Sequence, residues 1–230
     1  MLDFTRFKIL TFDCYGTMID WEGGIFAALR PILTAHNQKI TDSALLELYS
    51  ELEASAEAED FLRYRDVLQS VVRGFGKRLG FSPTEAEVRS LPESLKNWQP
   101  FPDTVEAVRK LKSRYQLAVI SNIDDDLFAS TAPKLGVAFD YVITAQQAGC
   151  YKPCMKIFKL AEERMSVSRE QWLHIGQSVY HDVIPAQSLG IATVWVNRPS
   201  PRSGSGAAKA ASGKPDLEVT NLGTLAKLAG

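Results

Sequence analysis

The sequence predicts an α/β domain built on a doubly wound parallel sheet, with a helical segment inserted after the first strand. Three observations carry this. Short apolar runs rich in β-branched residues alternate, beyond residue 100, with amphipathic stretches of helical period. A further apolar run lies near the N-terminus, at Lys8–Tyr15 (KILTFDCY). The residues between these regions, 22–98, hold helical patterns and no convincing strand. Strands alternating with helices of about 10–15 residues indicate βαβ units, whose parallel sheet is covered on both faces.

In chain order, the first strand is Lys8–Tyr15, and Asp13 stands where a buried strand should finish. Helical faces follow around Ile25–His36, Ser43–Glu57, Phe61–Leu79 and Thr84–Lys96. Leu45, Leu48 and Leu52 mark one apolar stripe, and Val67, Val71, Val72 and Phe75 another. Thr41 and Ser82-Pro83-Thr84 predict helix starts. NWQPFP (97–102) is a proline-punctuated return to the sheet. Strands are then expected at Leu117–Ser121, Tyr141–Thr144, Trp172–Ile175 and Thr193–Val196. The helices between and beside them are expected at Pro102–Arg114, Asp125–Leu135, Pro153–Met165 and Val179–Leu189. Ser200–Gly213, small, polar and glycine-rich, predicts a mobile surface loop, and Leu217–Leu222 a last short strand before a terminal helix. The division is a core of residues 1–20 and 99–230 and a helical domain of 21–98.

Composition narrows the function classes. At 45% hydrophobic and 23% charged, the 230 residues have the balance of a soluble globular protein. A net charge of −1, with basic residues dispersed, gives no electrostatic case for nucleic acid or an anionic membrane as partner. No run approaches the ~20 apolar residues of a membrane span, and MLDFTRFKIL has no signal-peptide pattern. Cys14, Cys150 and Cys154 form no CxxC and have no zinc-site spacing, so free thiols in a reducing cytoplasm are expected. The expected partner is a small-molecule substrate.

Open α/β sheets bind ligands beyond the carboxyl ends of their strands. There the sequence sets Asp13 and Thr17 after strand 1, Ser121, Asn122 and Asp124–Asp126 after strand 2, Lys152 after strand 3, and Gln177, Ser178 and Asp182 after strand 4. Taken singly, the serines are helix N-caps, the aspartates first-turn acids and the lysine a surface charge. Their joint arrival at one sheet edge has a chemical sense. A carboxylate can attack an electrophile and form a covalent intermediate. An ammonium beside it keeps it ionised, while hydroxyls and helix-start amides bind an anion. A second acid, Asp182, can position Lys152 or activate water.

These motifs, FDCYGT (12–17), ISN (120–122), YKP (151–153) and HIGQSVYHD (174–182), resemble those of the haloacid dehalogenase superfamily over nearly the whole chain. The resemblance implies a Rossmann-like core and makes residues 21–98 the helical cap. Most of that superfamily are magnesium-dependent phosphatases with a second aspartate two places after the nucleophile, where this chain has Tyr15, and an acid where it has Gln177. The D-x-Y-G-T form is instead similar to the L-2-haloacid dehalogenases. That resemblance implies a metal-independent hydrolysis in which Asp13 displaces halide from a 2-haloalkanoic acid and water releases the 2-hydroxy acid. It needs no cofactor, because halide leaves without a proton donor or a metal.

Carried over by motif, Asp13 is the nucleophile and Lys152 its ionic partner. Thr17, Ser121 and Asn122 shape the carboxylate and oxyanion site, and Asp182 orients Lys152 or the water. Tyr15, Gln177, Ser178 and Trp21 join the substrate side, with Phe61 beside Trp21. The chain departs from that family at Phe158, Gln177 and Val179, and has Glu47 near the place of its cap arginine. Arg65, with Arg30 and Arg63, is the expected substitute. A magnesium-dependent phosphatase and a non-catalytic binding protein of the same fold are the alternatives. A homodimer is implied by the resemblance alone. Cap hinges are expected at Asp20–Gly24 and Trp98–Pro102, with Gly23-Gly24 supplying backbone freedom.

Overall fold

The computed structural model describes residues 2–58, 60–199 and 211–230. The surface loop expected over 200–213 falls, for residues 200–210, outside them. Six strands form one parallel sheet: β1 (Ile9–Phe12), β2 (Gln116–Ser121), β3 (Tyr141–Thr144), β4 (Trp172–Gly176), β5 (Ala192–Val196) and β6 (Leu217–Val219), in the order β3-β2-β1-β4-β5-β6. The order reverses at β1, which pairs with β2 on one side and β4 on the other. That reversal is the switch point at which an open sheet forms its ligand crevice.

Alternation along the strands divides the core. Ile9, Ala118, Ile120, Ile143 and Trp172 face one layer, with Ile157, Phe158 and Ala161 of α8 (Met155–Met165) and Ala186 of α9 (Ile184–Ser188). Leu10, Phe12, Leu117, Val119, Leu173 and Ile175 face the other. There they meet Val108 and Leu111 of α5 (Thr104–Lys112) and Leu222 and Leu225 of α10 (Leu222–Leu228). Burial on both faces is why these strands read as continuous apolar runs.

Between β1 and β2 lie four helices: α1 (Trp21–Ala35), α2 (Asp42–Glu57), α3 (Tyr64–Leu79) and α4 (Glu85–Ser94). Their starts follow the sequence signals. Asp20 accepts the amide of Gly23, Thr41 that of Ala44, and Thr84 with Glu87 forms a capping box. The apolar faces, including Leu29, Tyr49, Val71 and Leu91, join the Leu10 layer of the core through Met18, Ile19 and Trp98.

Gly23 and Gly24 serve close packing instead of backbone freedom. Both lie in the first turn of α1, and a Cβ on Gly24 would sit 2.2 Å from Trp98 Cδ2. Elsewhere the elements are shorter than the apolar runs suggest. The first strand stops at Phe12, so Asp13–Tyr15 already belongs to the turn. The stretch 125–135 is α6 (Asp125–Thr131) followed by a 3₁₀ turn containing Pro133, which cannot continue the helical ladder. The stretch 179–189 is a π-helical turn over Val179–Val183 and then α9, with Pro185 at the junction. A four-residue helix, α7 (Ala145–Ala148), follows β3. No helix among the described residues is long and apolar enough to cross a membrane. All three cysteines are free.

Candidate active site

The register brings the ends of the central strands close together: Phe12, the last residue of β1, is opposite Val119 on β2 and Ile175 on β4, which run on to Ser121 and Gly176. Asp13 therefore leaves the sheet beside the last residues of both neighbours, and its amide still donates to Ile175 O. Into this point comes Lys152, 2% exposed, whose Nζ donates to Asp13 Oδ1 (2.9 Å), Ile120 O (2.9 Å) and Asp182 Oδ1 (2.6 Å). An ammonium has three hydrogens, and these acceptors use all three. Gly176 makes room for the second acid, since a Cβ there would lie 2.4 Å from Asp182 Cγ.

Burial and charge set the three groups differently. Burial pushes the Asp13 carboxyl above its ordinary value and Asp182 adds to the rise, while Lys152 and the Thr17 hydroxyl oppose it. Asp182 is also penalised by burial. Lys152 and the His174 hydrogen bond outweigh that penalty and hold its carboxyl below the ordinary range. Burial disfavours charge on Lys152, but the two aspartates overcome this and raise its pKa.

A polar line inside the sheet supports Asp182. Trp172 Nε1 donates to Thr11 Oγ1 (2.7 Å), and the Thr11 hydroxyl is hydrogen-bonded in turn to His174 Nδ1 (2.8 Å). The other ring nitrogen, Nε2, is hydrogen-bonded to Asp182 Oδ1 (3.1 Å). A buried carboxylate is thus oriented by a histidine that is itself held at its far nitrogen. The Ser178 amide donates to its other oxygen at 3.3 Å.

Thr17 links two strand ends. Its hydroxyl donates to Asp13 Oδ2 (2.7 Å) and accepts the Gln177 amide (2.9 Å). Its carbonyl accepts Arg198 Nε and Nη2, and Arg198 in turn pairs with Asp103 at 2.9 Å. The Asn122 amide clasps the Lys152 backbone, accepting from its N–H (2.7 Å) and donating to its C=O (3.2 Å). Ser121 is buried at the end of β2 and faces the cavity. Ser178 accepts the amide of His181 as a cap, the bland role its type suggests, and lines the cavity as well.

The cavity over Asp13 measures about 70 Å³. Of the eleven residues expected at the site, ten line it or bond to those that do: Asp13, Tyr15, Trp21, Ser121, Asn122, Lys152, Gln177, Ser178 and Asp182 line it, and Thr17 holds Asp13. Arg65 does not reach it. Its side chain lies in a separate cleft against Asp126 and near Asp124, because its position on α3 turns it towards the start of α6. Arg63 pairs with the same acids, Arg30 with Asp42, and Phe61 packs on Tyr151 with centroids 5.2 Å apart. Among the described residues no arginine lines the cavity. The sequence reading missed Glu53, Glu57, Tyr64 and His181, which do line it. Glu53 and Glu57 carry a faint signal, two acids one turn apart on a helix face otherwise turned inward.

Asp124 has an unexpected partner. Fully buried after β2, it does not cap its own helix but accepts the amides of Tyr64 (2.9 Å) and Arg65 (3.1 Å), the uncapped start of α3. This ties the inserted helices to the sheet.

The donor set does not suit a resident divalent cation. Among the described residues no group of three His, Cys, Asp or Glu side chains is arranged to hold one. The two acids at the strand ends are already bridged by one ammonium. Chemically, the site offers a desolvated carboxylate, held by an ammonium and a hydroxyl, below an enclosed space.

The chain is similar to known proteins in sequence and in fold. A sequence model of the haloacid dehalogenase-like hydrolases matches residues 7–190. An (S)-2-haloacid dehalogenase of Pseudomonas putida is 27% identical over 82% of this chain and 85% of its own. A glyceraldehyde 3-phosphate phosphatase of Methanothermobacter thermautotrophicus is 28% identical over 83% of this chain and 85% of its own. Among solved structures, the L-2-haloacid dehalogenase of Xanthobacter autotrophicus with chloropropionic acid covalently bound superposes with a TM-score of 0.79 at 20% identity, covering 96% of this chain and 98% of that one.

Proposed function

This chain belongs to the haloacid dehalogenase-like hydrolase family, and on that footing we propose that it cleaves the carbon–halogen bond of a small 2-haloalkanoate through an ester on Asp13. In the first step an Asp13 oxygen bonds to the carbon bearing halogen, and the carbon–halogen pair leaves as halide. In the second, water adds at Asp13 Cγ, the ester carbon–oxygen bond breaks, and Asp13 is regenerated with 2-hydroxy acid and one released proton. Thr17 and Lys152 orient the nucleophile, Asp182 anchors Lys152, and Ser121 faces the substrate. Residues 21–98 act as a cap that keeps water from the first step.

The observation that carries this reading is the state of Tyr15. It stands two places after the nucleophile, where the phosphatases of the family resemblance keep a proton donor. Its hydroxyl is bonded to Thr131 (2.9 Å), and burial raises its pKa well above the ordinary value. No acid is offered to a leaving alkoxide there, whereas halide needs none. The ammonium shared by Asp13 and Asp182 supports a reaction without metal.

A panel of 2-haloalkanoates, assayed for halide release with EDTA and with Mg²⁺, tests the proposal. Release undiminished by EDTA is expected. The relative from Methanothermobacter keeps a phosphatase reading in view, and p-nitrophenyl phosphate hydrolysis that requires Mg²⁺, with no halide released from any substrate, would establish it instead.

A further inference from the structure

The space above Asp13 is more acidic than displacement of halide requires. Four carboxylates line it, from Asp13, Asp182, Glu53 and Glu57, against the single ammonium of Lys152, whose three hydrogens are already taken. Glu53 and Glu57 project one turn apart from α2. Glu53 is aimed by two phenols, accepting from Tyr49 (2.9 Å) and Tyr64 (2.6 Å). Glu57 has no hydrogen-bond partner among the described residues.

A second observation, from outside the acid pair, has the same sense. The small cavity shares Trp21, Glu53, Glu57, Lys152 and His181 with a wider chamber of about 510 Å³. That chamber adds the carboxylate of Asp60 and the rings of Phe61, Tyr151 and Tyr180, and Lys152 is again its only Lys or Arg among the described residues. Carboxylates set among aromatic faces are the surroundings that attract an organic cation.

We propose that Glu53 and Glu57 select a substrate with a protonated amine on its chain beyond the reacting carbon, so that the substrate class is an amino-substituted 2-haloalkanoate. This rests on Asp13 as the nucleophile for carbon–halogen cleavage. A simple 2-haloalkanoate brings a negative charge to a space already rich in it, where the one Lys or Arg side chain among the described residues is the already engaged Lys152. An amino-substituted one sets its ammonium between the two glutamates, with its carboxylate end towards Ser121 and the strand ends. The wider chamber gives room for the longer chain. Burial pushes both glutamate carboxyls above their ordinary values, and Glu53 adds to the rise at Glu57. An ammonium between them offsets the burial of both and the push of Glu53 on Glu57.

Calorimetric titration with two unreactive ligands, 4-aminobutanoate and butanoate, tests the charge selection without any turnover. The amino ligand is expected to bind at least about tenfold more tightly, and Glu53→Gln and Glu57→Gln each to remove about tenfold of its affinity while butanoate binds no more weakly than to wild type. Glutamine at 53 still accepts from both tyrosines, and a thermal melt of each variant confirms the fold. Equal or tighter binding of butanoate, no binding of either ligand, or variants that bind like wild type would overturn the inference. Halide release from 4-amino-2-chlorobutanoate and 2-chlorobutanoate then separates it from the reading beneath it. Faster release from the amino substrate supports both. Release that favours the plain acid overturns the charge selection and keeps the dehalogenase. Selective calorimetry with no halide from either substrate upholds the charge selection and overturns the dehalogenase.

Discussion

Asp182 and Lys152 meet at 2.6 Å, nearer than Lys152 and Asp13 at 2.9 Å. In the proposed reaction the lysine is therefore anchored by an acid that does not react. In the proposed cycle Asp13 loses its charge when the ester forms, and Asp182 keeps the ammonium charged and in place for hydrolysis. His174 and Thr11, behind Asp182, hold the anchor itself.

The first prediction concerns pH. Asp13 must be ionised to attack. Burial is the largest influence raising its pKa, and Asp182 adds to it. Asp182→Asn removes that second push and leaves Lys152 to Asp13 alone, so the Asp13 pKa falls and the acid limb of kcat/KM moves to lower pH. A limb that moved to higher pH would contradict the assignment. Stability should respond separately. The Asp182 carboxyl is lower in the folded chain than in the unfolded one, so its contribution is complete above the unfolded value and lost as pH falls through the folded one.

Removing the ammonium should unmask both acids. Lys152→Met leaves two buried carboxylates without a partner, a loss of about 3–5 kcal/mol at neutral pH in urea denaturation. Both carboxyls are then raised above their unfolded values by burial, so the variant should regain stability as pH falls. A destabilisation that was the same at neutral and acid pH would show that packing of the lysine stem, not charge, was lost.

Asp124→Ala should cost about 1–2 kcal/mol, the usual loss for a helix cap whose amides become unsatisfied. Hydrogen exchange provides the local check. The amides of Tyr64 and Arg65 should exchange faster, with the β1 and β4 amides protected as before.

Gly24→Ala should destabilise by about 1–3 kcal/mol through overpacking, since the added methyl lies within bonding-like distance of the Trp98 ring. Paired with Trp98→Leu, the two costs should sum to less than their separate values, measured as a double-mutant cycle. Additive costs would mean that α1 moves away from Trp98 without resistance.

Asp13→Asn should abolish turnover, a loss of at least about a thousandfold, with the thermal midpoint little changed. Single-turnover hydrolysis in heavy-oxygen water should label the Asp13 carboxylate of the wild type. Label appearing first in the product would mean direct attack by water and no ester.

The strand–helix alternation after residue 100, the capped helices at Thr41 and Thr84, and the gathering of Asp13, Lys152 and Asp182 were all legible along the chain. They depend on local rules: apolar period, cap chemistry, and the rule that a parallel sheet presents its strand ends on one edge. Arg65 was misread for the complementary reason. Its charge is visible in the chain, but the turn of α3 that points it to Asp126 is not.

By itself, then, the sequence determined the doubly wound sheet, its helical insertion and the identity of the acid at the switch point, because periodicity and strand-end position are properties of short segments. Only the tertiary structure decided what faces that acid. Glu53 and Glu57 come from a helix some forty residues downstream, His174 is held by Thr11 of the neighbouring strand β1, and Asp124 caps a helix other than its own. Such relations depend on how α2 and α3 pack over the sheet, and packing joins residues that no spacing along the chain relates.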